Sequence, residues 1–242
     1  MISKKDTIYI AIDIGNSYIK ALIQNEQNSF KIASDKWDEI KQQIISYTKK
    51  NYSIIISDVK ETLKDLPFEK EKVLFLNSNT PLPIGNQYLT PHTLGYDRIA
   101  AAVGAYAMFP NTPCLIIDAG TAITIDLLVH NTFQGGAISP GIKLRYEALH
   151  QFTSKLPYLE KIEHFTYPGK NTEDSIHNGV LNGVVFEIEK HIELFLAQFN
   201  NGKIIITGGD SLYLVKFIKK TIFAEPNLVL KGLINILEYN AI

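Results

Sequence analysis

Short runs of β-branched and aliphatic residues alternate along this chain with longer stretches in which apolar side chains recur every three or four positions. That mixture of periods predicts an α/β protein. Residues 7–12 (TIYIAI) and 114–117 (CLII) read as buried strands. Each ends in Asp-x-Gly, then a hydroxyl or amide side chain, and then apolar residues return at Tyr18-Ile19 or Ile123-Thr124-Ile125. Each run therefore predicts a hairpin with a polar turn. After the first hairpin come a third strand at 29–33 and a helix within 35–50 carrying Trp37, Ile40, Ile44, Ile45 and Tyr47. Buried strands follow at 53–57 and 73–76. Residues 77–94, rich in Pro, Asn and Thr, form a long loop leading to a helix over 100–108 that stops before Pro110.

The second half repeats this plan. Strands are predicted at 114–117, 121–129 and 132–137, then a helix from Pro140, a long helix over about 173–199, and a strand at 203–207. A Gly208-Gly209 turn, a helix from Asp210 and a last helix over 230–239 complete it. The repeat divides the chain into domains 1–112 and 113–242. Ligands of such sheets sit at the carboxyl ends of the strands.

The duplicated turn is the first candidate for chemistry. Asp, Asn, Gly and Ser are ordinary turn residues, so one copy carries little functional weight. Two copies, about a hundred residues apart, carry more. Gly15 and Gly120 let backbone N–H groups approach an anion, Ser17 and Thr121 add hydroxyl donors, and Asp13 and Asp118 offer hard oxygens to cations. A nucleotide polyphosphate with its metal needs these parts.

Composition narrows the class. The chain has 242 residues, 45% hydrophobic and 20% charged, with a formal net charge of −1, which fits a folded soluble protein and gives no basic surplus for nucleic acid. The lysine pairs Lys49-Lys50 and Lys219-Lys220 read as solvated helix faces. Cys114 is the only cysteine, so no intrachain disulfide forms, and its strand predicts a buried thiol. Lys4, Lys5 and Asp6 precede a strand-like run with no signal-peptide core. The uncharged stretch 99–117 is broken by Gly104, Pro110 and Pro113, so it does not read as a membrane span. A cytoplasmic protein is expected.

Three further strings invite chemistry. In GYDR, Gly95 to Arg98, an acid and a base stand side by side where a loop enters a helix. Asp97 there is either a helix-start acid favoured by the dipole or a general base, and Arg98 is either a surface arginine or an anion clamp. FQGGAISPG, from Phe133, carries glycines that fit a bulge or a close approach by substrate or a second subunit. TGGD at 207–210 is a strand-to-helix turn or a wall for a nucleoside. No His/Cys metal cluster and no serine nucleophile elbow is present.

DIGNSYIK, LGYDRIAAAVGAY, DAGTAITID, GGAISPG, NTEDSI and TGGD, in this order and at these distances, resemble type III pantothenate kinase. That family belongs to the superfamily of acetate and sugar kinases, heat-shock chaperones and actin. The likeness runs from Ile10 to about Ser211. It implies two tandem ribonuclease-H-like (actin-like ATPase) domains with an interdomain cleft, a homodimer, and ATP-dependent phosphorylation of pantothenate, the first step of coenzyme A synthesis.

Residue by residue, the resemblance implies that Asp13, Ile14, Gly15, Asn16, Ser17, Tyr18, Ile19 and Lys20 form the ATP-binding hairpin, with Thr121 on its counterpart. Asp97 falls on the catalytic base, and Gly95, Tyr96, Asp97 and Arg98 fall on the pantothenate-binding turn, with Tyr88 lining the same pocket. Asp118 falls on the ligand of a monovalent cation, K⁺ or NH₄⁺; Asp13 is the candidate ligand for the Mg²⁺ that accompanies ATP. Thr172 falls on a substrate contact supplied across the dimer interface. Ser17 stands where threonine is usual, which keeps the hydroxyl and loses a methyl group. Members of the family are generally insensitive to coenzyme A. Two other readings stand beside this one. A nucleotide- or metabolite-sensing protein of the same fold would need no base such as Asp97, and a sugar or acetate kinase fits the length and the place of GYDR less well.

Overall fold

In the computed structural model, which describes residues 7–15, 17–24, 29–49, 51–58, 66–164 and 166–240, the predicted repeat is visible strand by strand. Lys4, Lys5, Asp6 and Lys50 lie outside the described residues. The first half runs β1 (Ile8–Ile14), β2 (Ile19–Gln24), β3 (Ser29–Ser34), α1 (Trp37–Ile45), β4 (Tyr52–Asp58), β5 (Val73–Phe75), β6 (Gly85–Asn86) and α2 (Tyr96–Met108). The second runs β7 (Cys114–Ala119), β8 (Ala122–Val129), β9 (Thr132–Pro140), α3 (Ile142–Gln151), α4 (Thr172–His177), α5 (Gly183–Gln198), β10 (Lys203–Thr207), α6 (Ser211–Leu214), β11 (Phe223–Ala224) and α7 (Leu228–Tyr239). One π-helical stretch, Asn178–Asn182, joins α4 to α5.

One sheet has the order β3-β2-β1-β4-β5, the other β11-β10-β7-β8-β9 with β6 added at the β9 edge. Read from opposite ends, the five-strand orders are the same. In both, a hairpin is followed by a crossover that lays a new strand parallel to the first: β4 beside β1, and β10 beside β7. This is the duplicated ribonuclease-H-like plan. The central strands are apolar without alternation, as strands covered on both faces must be. Ile10, Ile12, Ile54 and Ile56 centre one core, and Ile117, Ile123, Ile188 and Ile206 the other.

Packing divides the chain into two units that do not follow a single cut at 112/113. One unit takes residues 1–111, the β8–β9 tip Leu128–Gln134, and Asn227–Ile242; the other takes Thr112–Leu127 and Gly135–Pro226. The reason for the last assignment is α7. Leu228, Leu230, Leu233, Ile234, Ile236 and Leu237 are buried, and the helix crosses α2 at backbone contact. A Cβ on Gly232 would lie 1.8 Å from the Ala100 carbonyl oxygen, and one on Gly104 would lie 2.5 Å from that of Leu228.

Two local expectations change. Pro140 ends β9 rather than starting a helix, because Gly141 is engaged first: its N–H donates to the Thr121 carbonyl at 3.0 Å, and the helix begins at Ile142. The glycines of FQGGAISPG serve a close backbone approach. Gly135 takes φ +98°, and a Cβ on Gly136 would lie 2.0 Å from the Ile125 carbonyl oxygen. Cys114 is buried as expected, and burial pushes its thiol up to about 12.

Gly232→Ala is expected to destabilise the protein by about 3 kcal/mol, the upper end for overpacking a filled site. Gly179→Ala, where an added Cβ meets nothing within 4 Å, is expected to cost nothing. Denaturant titration of the two variants checks the contrast.

Candidate active site

The first unit assembles its polar residues at the carboxyl end of β1. Strand register sets Asp13 between Lys20 of β2 and Ser57 of β4. Asp13 is 8% exposed and Ser57 is fully buried, and Ser57 Oγ donates to Asp13 Oδ1 at 3.2 Å. Burial first, and then the negative charge of Asp97, push the Asp13 carboxyl up from 3.8 to about 6; Lys20 and the Ser57 hydrogen bond oppose them. In the turn that follows, Ile14 is buried and the Gly15 N–H donates to the Tyr18 carbonyl at 3.1 Å. Ser17 and Tyr18 face solvent, while Ile19 and Lys20 are half-buried. Asn16 lies outside the described residues.

Asp97 occupies the first turn of α2, one residue after Tyr96 and two after the capping Gly95. Its Oδ1 accepts from the Arg98 N–H at 2.8 Å. A Cβ on Gly95 would sit 2.5 Å from that same oxygen. The carboxylate thus folds back into the space beside Gly95. Arg98 is 6% exposed, with its guanidinium over the rings of Tyr88 and Phe133.

Two carboxylates whose charges oppose each other are a fitting seat for a cation. Among the described residues no three His, Cys, Asp or Glu side chains gather as a metal cluster. Mg²⁺ does not ask for one, since it commonly takes one or two carboxylates and completes its shell with water and substrate phosphates. Asp13 could offer such a cation a hard carboxylate oxygen, and a nearby cation would offset the penalty that raises its carboxyl.

In the second unit three motifs converge at the carboxyl end of β7. Register pairs Asp118 with Thr207, and the Asp210 N–H donates to the Ala119 carbonyl at 2.9 Å. Gly208 holds φ +92°, and a Cβ there would come within 2.4 Å of Asp118 Oδ1. The Gly141 bond to Thr121 brings in the third motif. Asp118 is half-buried and Thr121 exposed. Thr172 stands apart: it is exposed at the start of α4, beside the capping Asn171, whose Oδ1 accepts from the Asp174 N–H at 2.9 Å. It lines a groove of about 690 Å³ together with Leu149, Leu156, Lys170, Ser175 and Ile176, and none of Asp118, Gly120 or Thr121 lines it.

Sequence reasoning passed over Ser57 and Phe133. Ser57 was legible as a polar residue ending the apolar run Ile54-Ile55-Ile56. Phe133 reads as one more core aromatic until β9 is seen to bring it beside Tyr88 and Arg98.

Comparison with known proteins now bears on the site. The family model for type III pantothenate kinase matches residues 9–194. The chain belongs to that family. Curated type III pantothenate kinases share this length: the Flavobacterium johnsoniae protein is 39% identical over 237 residues, 95% of this chain and 97% of its own. The Cytophaga hutchinsonii protein is 39% identical over 96% and 99%, respectively. Among solved structures, a conserved Baf family protein from Campylobacter jejuni has a TM-score of 0.64 at 24% identity, covering 96% of this chain and 98% of its own. An apo parM protein has a TM-score of 0.52 at 11% identity, with 98% of each chain covered. Likeness at these identities speaks for the fold alone.

The raised Asp13 carboxyl carries a stability cost with a definite sign. Its unfolded form ionises near 3.8 and its folded form near 6, so native stability falls as pH rises through that window and the cost is complete above it. At pH 7 it amounts to about 3 kcal/mol. Asp13→Asn is expected to recover most of this at pH 7 and almost none at pH 4. Denaturation of both proteins at both pH values tests it; an equal gain at each pH would show that charge is not the cause.

Proposed function

We propose that this chain transfers the γ-phosphoryl group of ATP to the primary hydroxyl of pantothenate, giving 4′-phosphopantothenate for coenzyme A synthesis. Family membership over residues 9–194, with relatives of the same length, carries the reading. The carboxylate pair in the first unit supports it, because phosphoryl transfer asks a protein mainly for alignment and charge neutralisation.

The proposed roles are those that the family resemblance implies for these residues. Asp97 is the general base, taking the hydroxyl proton as the oxygen attacks the γ-phosphorus. Its N–H contact from Arg98 and the open space at Gly95 hold the carboxylate in one orientation. Arg98 binds the pantothenate carboxylate, with Tyr88, Gly95 and Tyr96 beside it, and Thr172 adds its hydroxyl from the partner subunit of a homodimer. The turn Gly15-Asn16-Ser17 offers N–H and hydroxyl donors to phosphate, Ile14, Tyr18, Ile19 and Lys20 complete that hairpin, and Thr121 does the same work on the second. Asp13 would hold the Mg²⁺ that comes with ATP, and that ion supplies charge neutralisation at the polyphosphate oxygens. Asp118 would bind K⁺ or NH₄⁺. Large apolar side chains exposed on the second unit, Ile138, Leu144, Phe186 and Leu194, support the dimer. Among the described residues no helix is long and apolar enough to cross a membrane, which is compatible with work in the cytoplasm.

An ADP-release assay with ATP, Mg²⁺ and pantothenate tests the whole reading. Turnover is expected to require pantothenate, and Asp97→Asn is expected to lose about 10²–10⁴-fold in rate while still binding ATP. Asp118→Asn is expected to blunt the response to added K⁺. Nucleotide binding without turnover under every condition would instead make the protein a sensor of the same fold.

A further inference from the structure

Phe133 is wholly buried in the first unit, at the foot of β9. Register pairs the first residues of β9 with β6, Gly85 with Thr132 and Asn86 with Phe133. The Gly85 N–H donates to the Asn131 carbonyl at 2.9 Å, and the Gln87 N–H to that of Phe133 at 3.0 Å. This short ladder delivers Tyr88 to Phe133, with ring centroids 6.1 Å apart and planes tilted by 54°. The Arg98 guanidinium carbon lies 5.4 Å from the Tyr88 centroid and 5.7 Å from that of Phe133. A cation removed from water is thereby set against two aromatic faces, the arrangement in which cation–π attraction is strongest. The guanidinium is a rigid fork on a flexible stem, so whatever restrains the stem decides where the fork points.

We infer that Phe133 is a positioning residue for the acceptor pocket. It holds Arg98 and Tyr88 in register with each other, and so sets affinity for the acceptor's carboxylate without touching the acceptor. The inference rests on the reading of Arg98 as the carboxylate's partner. It accounts for a feature that the glycines of FQGGAISPG leave unexplained: why the β8–β9 hairpin extends back into the first unit, when its other strand residues serve the second.

The test uses the full chain with Phe133→Leu, Arg98→Met and the double variant, each first shown to be folded by its thermal transition. Phe133→Met, whose unbranched side chain fills an irregular gap more adaptably, replaces Phe133→Leu should that variant not fold. Steady-state kinetics separate the KM values for pantothenate and ATP, and calorimetry measures pantothenate binding without turnover. Phe133→Leu is expected to raise the pantothenate KM and Kd about tenfold and to leave the ATP KM within about twofold. In the Arg98→Met background the same change is expected to add less than about twofold, because the group it positions is gone. Unchanged pantothenate affinity in folded Phe133→Leu, an equal rise in both KM values, or full additivity with Arg98→Met would each overturn the inference. Unchanged pantothenate affinity in Arg98→Met alone would overturn the role of Arg98 itself, and the inference with it.

Discussion

Burial of an acid at the carboxyl end of β1 sets the terms for the first unit: loss of water, and after it the negative charge of Asp97, raises the Asp13 carboxyl. Asp13 is carried by a buried strand and Asp97 by the first turn of a helix. Lys20 and the Ser57 hydrogen bond oppose that cost. Ser57 and Lys20 flank Asp13 through strand register, and Gly95 clears the space into which the Asp97 carboxylate folds. A protein selected for stability alone would place an amide or an apolar residue at position 13. A cation bound beside Asp13, as proposed for the Mg²⁺ of ATP, would offset that cost.

The two units solve the same problem with different residues. In each, an Asp ends the central strand, a glycine turn follows, and a parallel strand arriving by crossover supplies the neighbour: Ser57 beside Asp13, Thr207 beside Asp118. The hydroxyl is in the same register position both times. What differs is the third contributor. The first unit brings a helix start with a second acid, whereas the second brings a Gly-Gly turn with a positive φ that passes close over Asp118. The same strand plan thus presents a different third group to its central aspartate in each unit.

Much of this was legible from residues alone. Continuous apolar runs marked the central strands, because a strand covered on both faces has no reason to alternate, and the D-x-G repeat marked their ends. Six ordered strings were enough to name the family. What stayed hidden depended on pairing across the chain. Ser57 matters only through its register with Asp13, and Phe133 only through the two-residue pairing of β6 with β9, a contact too short to leave a periodic signal. The start of α3 was misplaced for a similar reason: the bond from Gly141 to Thr121 is tertiary, and it overrides the local preference of a proline for a helix's first turn. The place of α7 was hidden as well, since an amphipathic pattern shows that a helix buries one face and not what it buries it against.

The late position of α7 in the chain matters during synthesis on the ribosome. The helix bearing Asp97 and Arg98 rests against α7, and α7 is made after every residue of the second unit. A nascent chain can finish the second unit's sheet while the first still lacks its seal along Gly104. The packing that covers α2 is therefore complete only when synthesis reaches residues 228–239, although every named site residue has been made by then.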